Sequence, residues 1–316
     1  MNLRPFKFKP LLKTVIWGGE KIVAFKGIDS ELHQVGESWE LSGVEGHESV
    51  VDGGPDDGLA LSQLIARYGA DLVGERVYRN HGTKFPLLVK LIDAHRDLSV
   101  QVHPDDEMAQ RVHGCCGKTE MWYVIDHEPG AQIMAGFSRD ITPEEYDRRV
   151  ADGTIMDVVN HHTSRRSEVF FLPAGRIHAI GAGNLIAEIQ QTSDITYRVF
   201  DYNRVDKDGH QRELHTALAR EALDFTASTT QNEVSTDNDT LVSCPQFVVR
   251  RHQVDGNTNL NLPDSFTVMM CLSGNVQIID NAQQVASLRQ GQTLLLPASM
   301  VCITLQGQGS LLTAYC

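Results

Sequence analysis

No part of the chain approaches the roughly 18 to 20 consecutive apolar residues that a bilayer-spanning helix requires. The opening Met1-Asn2-Leu3-Arg4-Pro5-Phe6-Lys7-Phe8-Lys9-Pro10 also lacks the apolar core of a secretory signal. A cytoplasmic location with no membrane partner is expected. Positive charge is scarce as well: 28 lysines and arginines against 41 aspartates and glutamates leave a formal charge of -13. That excludes a protein whose main task is gripping nucleic-acid phosphates. The six cysteines have no spacing of a disulfide framework or zinc knuckle, Cys115 and Cys116 being adjacent and the rest scattered, so reduced thiols are expected. Histidine is absent beyond His252.

With 316 residues, the chain is long enough for two or three packed subdomains. Glycine and proline cut it into many short strand-like runs, such as Glu37 to Ser42, Phe85 to Asp93, Leu98 to His103 and nearly everything from Ser167 to Asn203. Two helical patches interrupt them. Leu61, Leu64, Ile65, Tyr68, Leu72 and Val73 recur at near-helical spacing within 59–78. A second helix is predicted over about 142–160, with Thr142 as cap, Pro143 at the first helical position and Glu145 completing a capping-box pattern. Residues 227–239 are rich in Ser, Thr, Asn and Gln and read as a linker or loop.

Against this background four polar side chains converge. Gln101 and His103 lie two apart on a strand-like segment, so they point to one face. Glu120 opens the apolar run Met121-Trp122-Tyr123-Val124-Ile125, and His178 follows Val169-Phe170-Phe171-Leu172 across the turn-prone Pro173-Ala174-Gly175. Imidazole with carboxylate suits zinc or another divalent transition ion; a hydrogen-bonding role for Gln101 is the competing reading. A repeat follows. Val169 to His178 aligns with Thr293 to Cys302, Pro-Ala against Pro-Ala, with cysteine where the histidine stood. The predicted architecture is therefore mainly β: two jelly-roll-like barrels with a small α-helical insertion. The metal-binding unit spans 1–226, and a degenerate unit at 240–316 binds no metal.

Trp17-Gly18-Gly19, Gly36 to Ser42, Lys90 to His103, Lys118-Thr119-Glu120 and His178 occur in the order seen in one family. The chain resembles the type I mannose-6-phosphate isomerases, bicupin zinc enzymes, and is most similar to their short bacterial form. The resemblance implies one Zn2+ per chain held by Gln101, His103, Glu120 and His178. It implies a sugar site lined by Ser99, Glu188, Asp194 and Arg198, with Lys90 and Lys118 close by. The longer members carry a phosphate-binding lysine where this chain reads Arg198-Val199-Phe200-Asp201-Tyr202-Asn203-Arg204, so that role passes to Arg204 or another cation. Monomer and homodimer both fit the pattern.

The implied reaction interconverts mannose 6-phosphate and fructose 6-phosphate by moving a proton between adjacent carbons through an enediolate. A positioned base contributes typically ~10²- to 10⁴-fold and works best with a pKa near neutrality. Glu188, among Leu185, Ile186 and Ile189, is one candidate, with its carboxyl expected to be raised by burial; a lysine is the other. Arg198 has a fixed charge suited to the enediolate or the phosphate, and Asp194 either lines the site or pairs with Arg198. A non-catalytic or sensory bicupin that binds a sugar phosphate is the alternative function, but it has no need of Lys118 and Glu188 beside a metal. An oxygen-activating iron cupin is disfavoured by glutamine and glutamate among the ligands.

Overall fold

The computed structural model describes residues 3–205, 209–228 and 239–316. Its first barrel is built from two sheets. A six-stranded sheet runs in the order Val169–Leu172, Glu120–His127, Asn184–Gln191, Leu87–Ala94, Val35–Ser42, Leu11–Gly19, and a five-stranded sheet runs Tyr197–Phe200, Val100–Val102, His178–Ile180, Gln132–Phe137, Val159–Thr163. Every pairing is antiparallel. The second barrel is an eight-stranded sheet dominated by the long strands Val248–Asn261, Thr267–Asp280 and Cys302–Tyr315.

The order of the layers explains why two central strands of the six-stranded sheet, Leu87–Ala94 and Asn184–Gln191, are buried at every position. Residues that alternate along a strand face opposite ways. Leu87, Val89, Leu91, Leu185, Ala187 and Ile189 pack against Phe266, Val268, Met270, Leu295 and Leu312 of the second barrel. Ile92, Trp122, Val124 and Ile186 face inward instead, with Ala135 and Ile180 of the opposing sheet. Helices Pro143–Ala151 and Thr216–Ala222 cover the outside of the five-stranded sheet through Tyr146, Ala219, Val102 and Tyr197. Phe85 and Phe266 meet across the barrel junction with ring centroids 4.5 Å apart. Burying each phenyl contributes about 1.5–3 kcal/mol.

Three sequence expectations are corrected here. The helix over 59–78 is three short helices, Leu61–Tyr68, Ala70–Val73 and Glu75–His81. Gly69 and Gly74 adopt positive φ of 50° and 89°, backbone conformations that glycine tolerates and a right-handed helix cannot contain. The patch at 142–160 is helical only over Pro143–Ala151, passes through a 3-10 turn at Ile155–Val158 and becomes the strand Val159–Thr163. The metal-binding unit, expected to begin at residue 1, lends its first strand away: Phe6–Lys9 pairs with Thr293–Leu296 of the second barrel, Phe6 opposite Leu295. The predicted linker falls mostly on 229–238, outside the described residues. No helix among the described residues is long and apolar enough to cross a membrane.

The predicted cap does form. Thr142 Oγ1 accepts from the Glu145 backbone N–H at 3.1 Å. Thr142→Ala is expected to lower stability by about 1 kcal/mol in chemical denaturation, the usual worth of such a cap.

Candidate metal centre

Register across the five-stranded sheet sets one wall of the site. Arg198 lies opposite Gln101, Gln101 opposite His178, and His178 opposite Ala135, and directly opposed residues share a face. The six-stranded sheet supplies the facing wall by the same rule, with Trp122 opposite Glu188, Glu188 opposite Lys90 and Lys90 opposite Trp39. Glu120 lies two residues before Trp122 and so points the same way. His103 follows the strand Val100–Val102 directly and reaches the same point from the first wall.

Three ligand-type atoms close a small triangle there. His103 Nε2 is 3.2 Å from His178 Nε2 and 3.5 Å from Glu120 Oε2, and His178 Nε2 is 3.4 Å from Glu120 Oε1. A tetrahedral ion with bonds of ~2.0–2.1 Å separates its ligand atoms by about 3.3 Å, so the triangle has the right size. Each histidine is also turned for the task. His103 Nδ1 donates to the Ile195 carbonyl and His178 Nδ1 to the Arg176 carbonyl, both at 2.8 Å, which leaves lone pairs on both Nε2 atoms. The side-chain amide of Gln101 stands 3.3 Å from His178 Nε2, and a half-turn of that amide presents its oxygen as the fourth donor.

Electrostatics make the same demand. All three residues are essentially without solvent access. Burial, reinforced by the Lys118 ammonium, holds the His103 imidazolium well below the usual histidine range, and burial drives His178 down to about 3; both rings are neutral at pH 7, the form a metal would need. Burial raises the Glu120 carboxyl to about 7 against the pull of Lys118. Lys118 Nζ lies 3.0 Å from both His103 Nε2 and Glu120 Oε2. Its approach to Glu120 is a charge contact without hydrogen-bond geometry, since both Glu120 oxygens are buried with no hydrogen-bond partner. Converging lone pairs around an unsatisfied buried carboxylate are costly unless a cation joins them. These residues therefore fit a divalent ion, and among the described residues this is the cluster that does.

Beside the triangle opens a cavity of about 380 Å³. Gln101, Lys118, Lys90, Glu188 and Ser99 line its inner end, and Asp194, Thr196, Arg198 and Arg212 also border it.

Two family models match the chain: "Phosphomannose isomerase type I, catalytic domain" over residues 6–136 and "Mannose-6-phosphate isomerase, cupin domain" over 237–316. The mannose-6-phosphate isomerase ManA of Bacillus subtilis is 33% identical over 322 residues, covering 100% of both chains. The mannose-6-phosphate isomerase of Streptococcus mutans is 35% identical over 287 residues, 89% of each. The chain belongs to the type I phosphomannose isomerase family. The crystal structure of the Bacillus subtilis mannose 6-phosphate isomerase superposes with a TM-score of 0.89 at 29% identity, covering 99% of this chain and 100% of that one. A phosphomannose isomerase mutant from Salmonella typhimurium shares the fold, with a TM-score of 0.81 at 15% identity and 99% of each chain covered.

Within this type I phosphomannose isomerase fold, the residues singled out in the sequence do not all behave as expected. Gln101, His103, Glu120, His178, Lys90, Lys118, Ser99 and Glu188 gather in one place. Glu188, however, is not a carboxyl raised by apolar neighbours. Burial does push it up, but the ammoniums of Lys90 and Lys118 and the Trp122 indole N–H outweigh it and hold the carboxyl down at about 2. The Trp122 bond is 2.7 Å and the Lys90 ion pair 3.1 Å. A carboxylate so firmly ionised is a weak base near neutrality. Asp194 sits exposed in the loop before Tyr197–Phe200 and is not ion-paired with Arg198. Arg204 does not line the cavity: its guanidinium is taken up by the Asp201 carboxylate and the Asp97 carbonyl.

Lys13, Val15 and Trp17, and Glu37 with Trp39, also line the cavity and were missed as site residues. Their spacing of two, along a predicted strand for Glu37 and Trp39 and an unpredicted one for Lys13, Val15 and Trp17, was the available signal. Lys13 Nζ rests 3.3 Å from the Trp39 ring centroid, a cation–π contact that fixes the indole wall.

The repeat is visible in three dimensions. Cys302 opens the strand Cys302–Tyr315 just as His178 opens His178–Ile180. Its sulfur donates to Asn281 Oδ1 at 3.1 Å, and Met269, Cys271, Leu294, Leu296 and Ile303 fill the barrel beside it.

Proposed function

We propose that the chain is a zinc-dependent mannose-6-phosphate isomerase that interconverts mannose 6-phosphate and fructose 6-phosphate by proton transfer through an enediolate. The observation that carries this reading is the convergence of two neutral imidazoles, oriented through their Nδ1 bonds, on a fully buried carboxylate at the head of a polar cavity. His103, Glu120, His178 and Gln101 would hold the zinc, the choice of ion resting on the mixed imidazole, carboxylate and amide set. When bound, zinc would polarise the substrate's carbonyl group and so acidify the adjacent C–H from which the proton is taken.

The chain's own residues supply the rest. Lys118, whose Nζ borders both the ligand set and the cavity, is placed to relay the proton between the two carbons. Glu188 is better suited to holding Lys90 and accepting a substrate hydroxyl than to proton transfer, because its charge is already committed. Ser99 orients the sugar, and Arg198, with its Nε buried and unpartnered, contributes fixed positive charge. Trp17 and Trp39 exclude water along the sugar's flank.

The test is fructose 6-phosphate formation from mannose 6-phosphate by zinc-loaded protein, with and without a chelator and with unphosphorylated mannose alongside. Chelator-sensitive turnover, restored by added zinc and confined largely to the phosphate ester, is expected. No turnover at one zinc per chain would replace the enzyme with a sugar-phosphate-binding bicupin.

A further inference from the structure

Two arginines grip one buried carboxylate at the cavity's border and a third stands near it, and they are not equivalent. Asp201 is 5% exposed. Arg204 spends its guanidinium inward: Nε lies 3.1 Å from Asp201 Oδ1, Nη2 donates to the same oxygen, and Nη1 donates to the Asp97 carbonyl. Arg212 grips Asp201 with one edge only, Nε to Oδ2 at 2.7 Å and Nη2 to Oδ1. Its Nη1 has no hydrogen-bond partner among the described residues, and Arg212 borders the cavity where Arg204 does not. Arg198 stands on the strand Tyr197–Phe200 that runs directly into Asp201, its Nη1 donating to the Glu213 carbonyl at 2.7 Å. Its backbone N–H and C=O fasten to His215 at 3.2 and 2.8 Å, which holds the segment carrying Arg212 alongside.

We infer that Arg212, with Arg198, forms the clamp for the substrate's phosphate group, and that Asp201 and Arg204 are positioning residues that aim it. Three guanidiniums against one carboxylate leave two positive charges in the cluster, and a phosphate monoester carries about -1.5 to -2 at pH 7. Other carboxylates near the cluster are the half-buried Asp97, beside Arg204 and away from the cavity lining, and Asp194 and Glu213, both exposed and screened by solvent. The span also fits. Arg198, Gln101 and His178 sit on neighbouring strands, so Arg198 lies roughly 10 Å from the metal ligand His178 at the ~4.8 Å strand spacing, and a hexose 6-phosphate carries its reacting carbons and its phosphate at opposite ends. A forked guanidinium matches phosphate oxygens two at a time. The inference rests on the proposed sugar-phosphate substrate and names the residue that distinguishes the ester from the free sugar.

The experiment measures calorimetric affinity of zinc-loaded protein for fructose 6-phosphate and for fructose, in the parent and in Arg212→Met. Fructose 6-phosphate affinity is expected to fall on the order of 10²-fold, the loss of a charge-assisted bidentate contact, with zinc content and fructose affinity unchanged. Unchanged fructose 6-phosphate affinity, or equal losses for ester and sugar, overturns the assignment. Should Arg212→Met fail to fold, Arg212→Lys carries the test: it keeps the charge without the fork, and a roughly tenfold loss on the ester alone is expected, whereas no loss overturns the assignment. Failure of the parent to isomerise mannose 6-phosphate would sink the proposed reaction instead, and these binding measurements would still decide the clamp.

Discussion

His178→Ala is expected to remove the bound metal and, with it, at least ~10³-fold of kcat, since metal polarisation of the substrate contributes several kcal/mol and each 1.36 kcal/mol is tenfold in rate. The imidazole lost is 3.2 Å from His103 Nε2 and 3.4 Å from Glu120 Oε1, so its removal opens one corner of the triangle. The fold should survive. His178 sits at the start of its strand, and the ladder around it is made by backbone groups that alanine retains. Metal analysis of the purified variant and its far-ultraviolet circular dichroism check the two halves separately. Stoichiometric zinc in a folded His178→Ala protein would remove the site from consideration, and His103→Ala should behave the same way.

Lys90→Met should produce the largest loss of stability of any single exchange in the site, about 3–5 kcal/mol, because it strands the Glu188 carboxylate inside the barrel. Lys90 and Glu188 are both nearly inaccessible, with Nζ and Oε1 3.1 Å apart. Glu188 and Glu37 together raise the Lys90 ammonium above its ordinary value even though burial works against it. Breaking such a pair costs more than the pair is worth, since an unpaired buried charge is the worst of the alternatives. Lys90→Met/Glu188→Leu should therefore recover most of the loss while remaining inactive. Guanidinium denaturation of metal-free protein measures both, free of any contribution from zinc binding. A loss below about 1 kcal/mol in Lys90→Met would mean that water reaches Glu188 and that the pair behaves like a surface one.

Much of the candidate site was legible because it depends on local rules. Gln101 and His103 follow from a period of two, and Glu120 and His178 from their places at the openings of apolar strands. The helix at 59–78 misled because apolar spacing continues through Gly69 and Gly74, whose positive φ breaks the helix while leaving the pattern of buried residues intact. Glu188 misled more seriously. Its neighbours in the chain are Leu185, Ile186 and Ile189, which suggest a raised carboxyl, whereas its neighbours in space are Lys90 and Trp122, which hold it ionised.

Residue type, strand period and turn chemistry by themselves determined that this chain makes two β-barrels, that one of them carries imidazole and carboxylate side chains suited to a metal, and that the chain is acidic. Tertiary structure alone decided which charges meet. It set the Lys90–Glu188 pair across adjacent strands, turned Arg204 inward onto Asp201 while bringing Arg212 to the cavity, and gave the first strand of the chain to the second barrel. The reason is physical: side-chain direction along a strand is fixed within a few residues, whereas an electrostatic partner is chosen by sheet register between segments far apart in the chain.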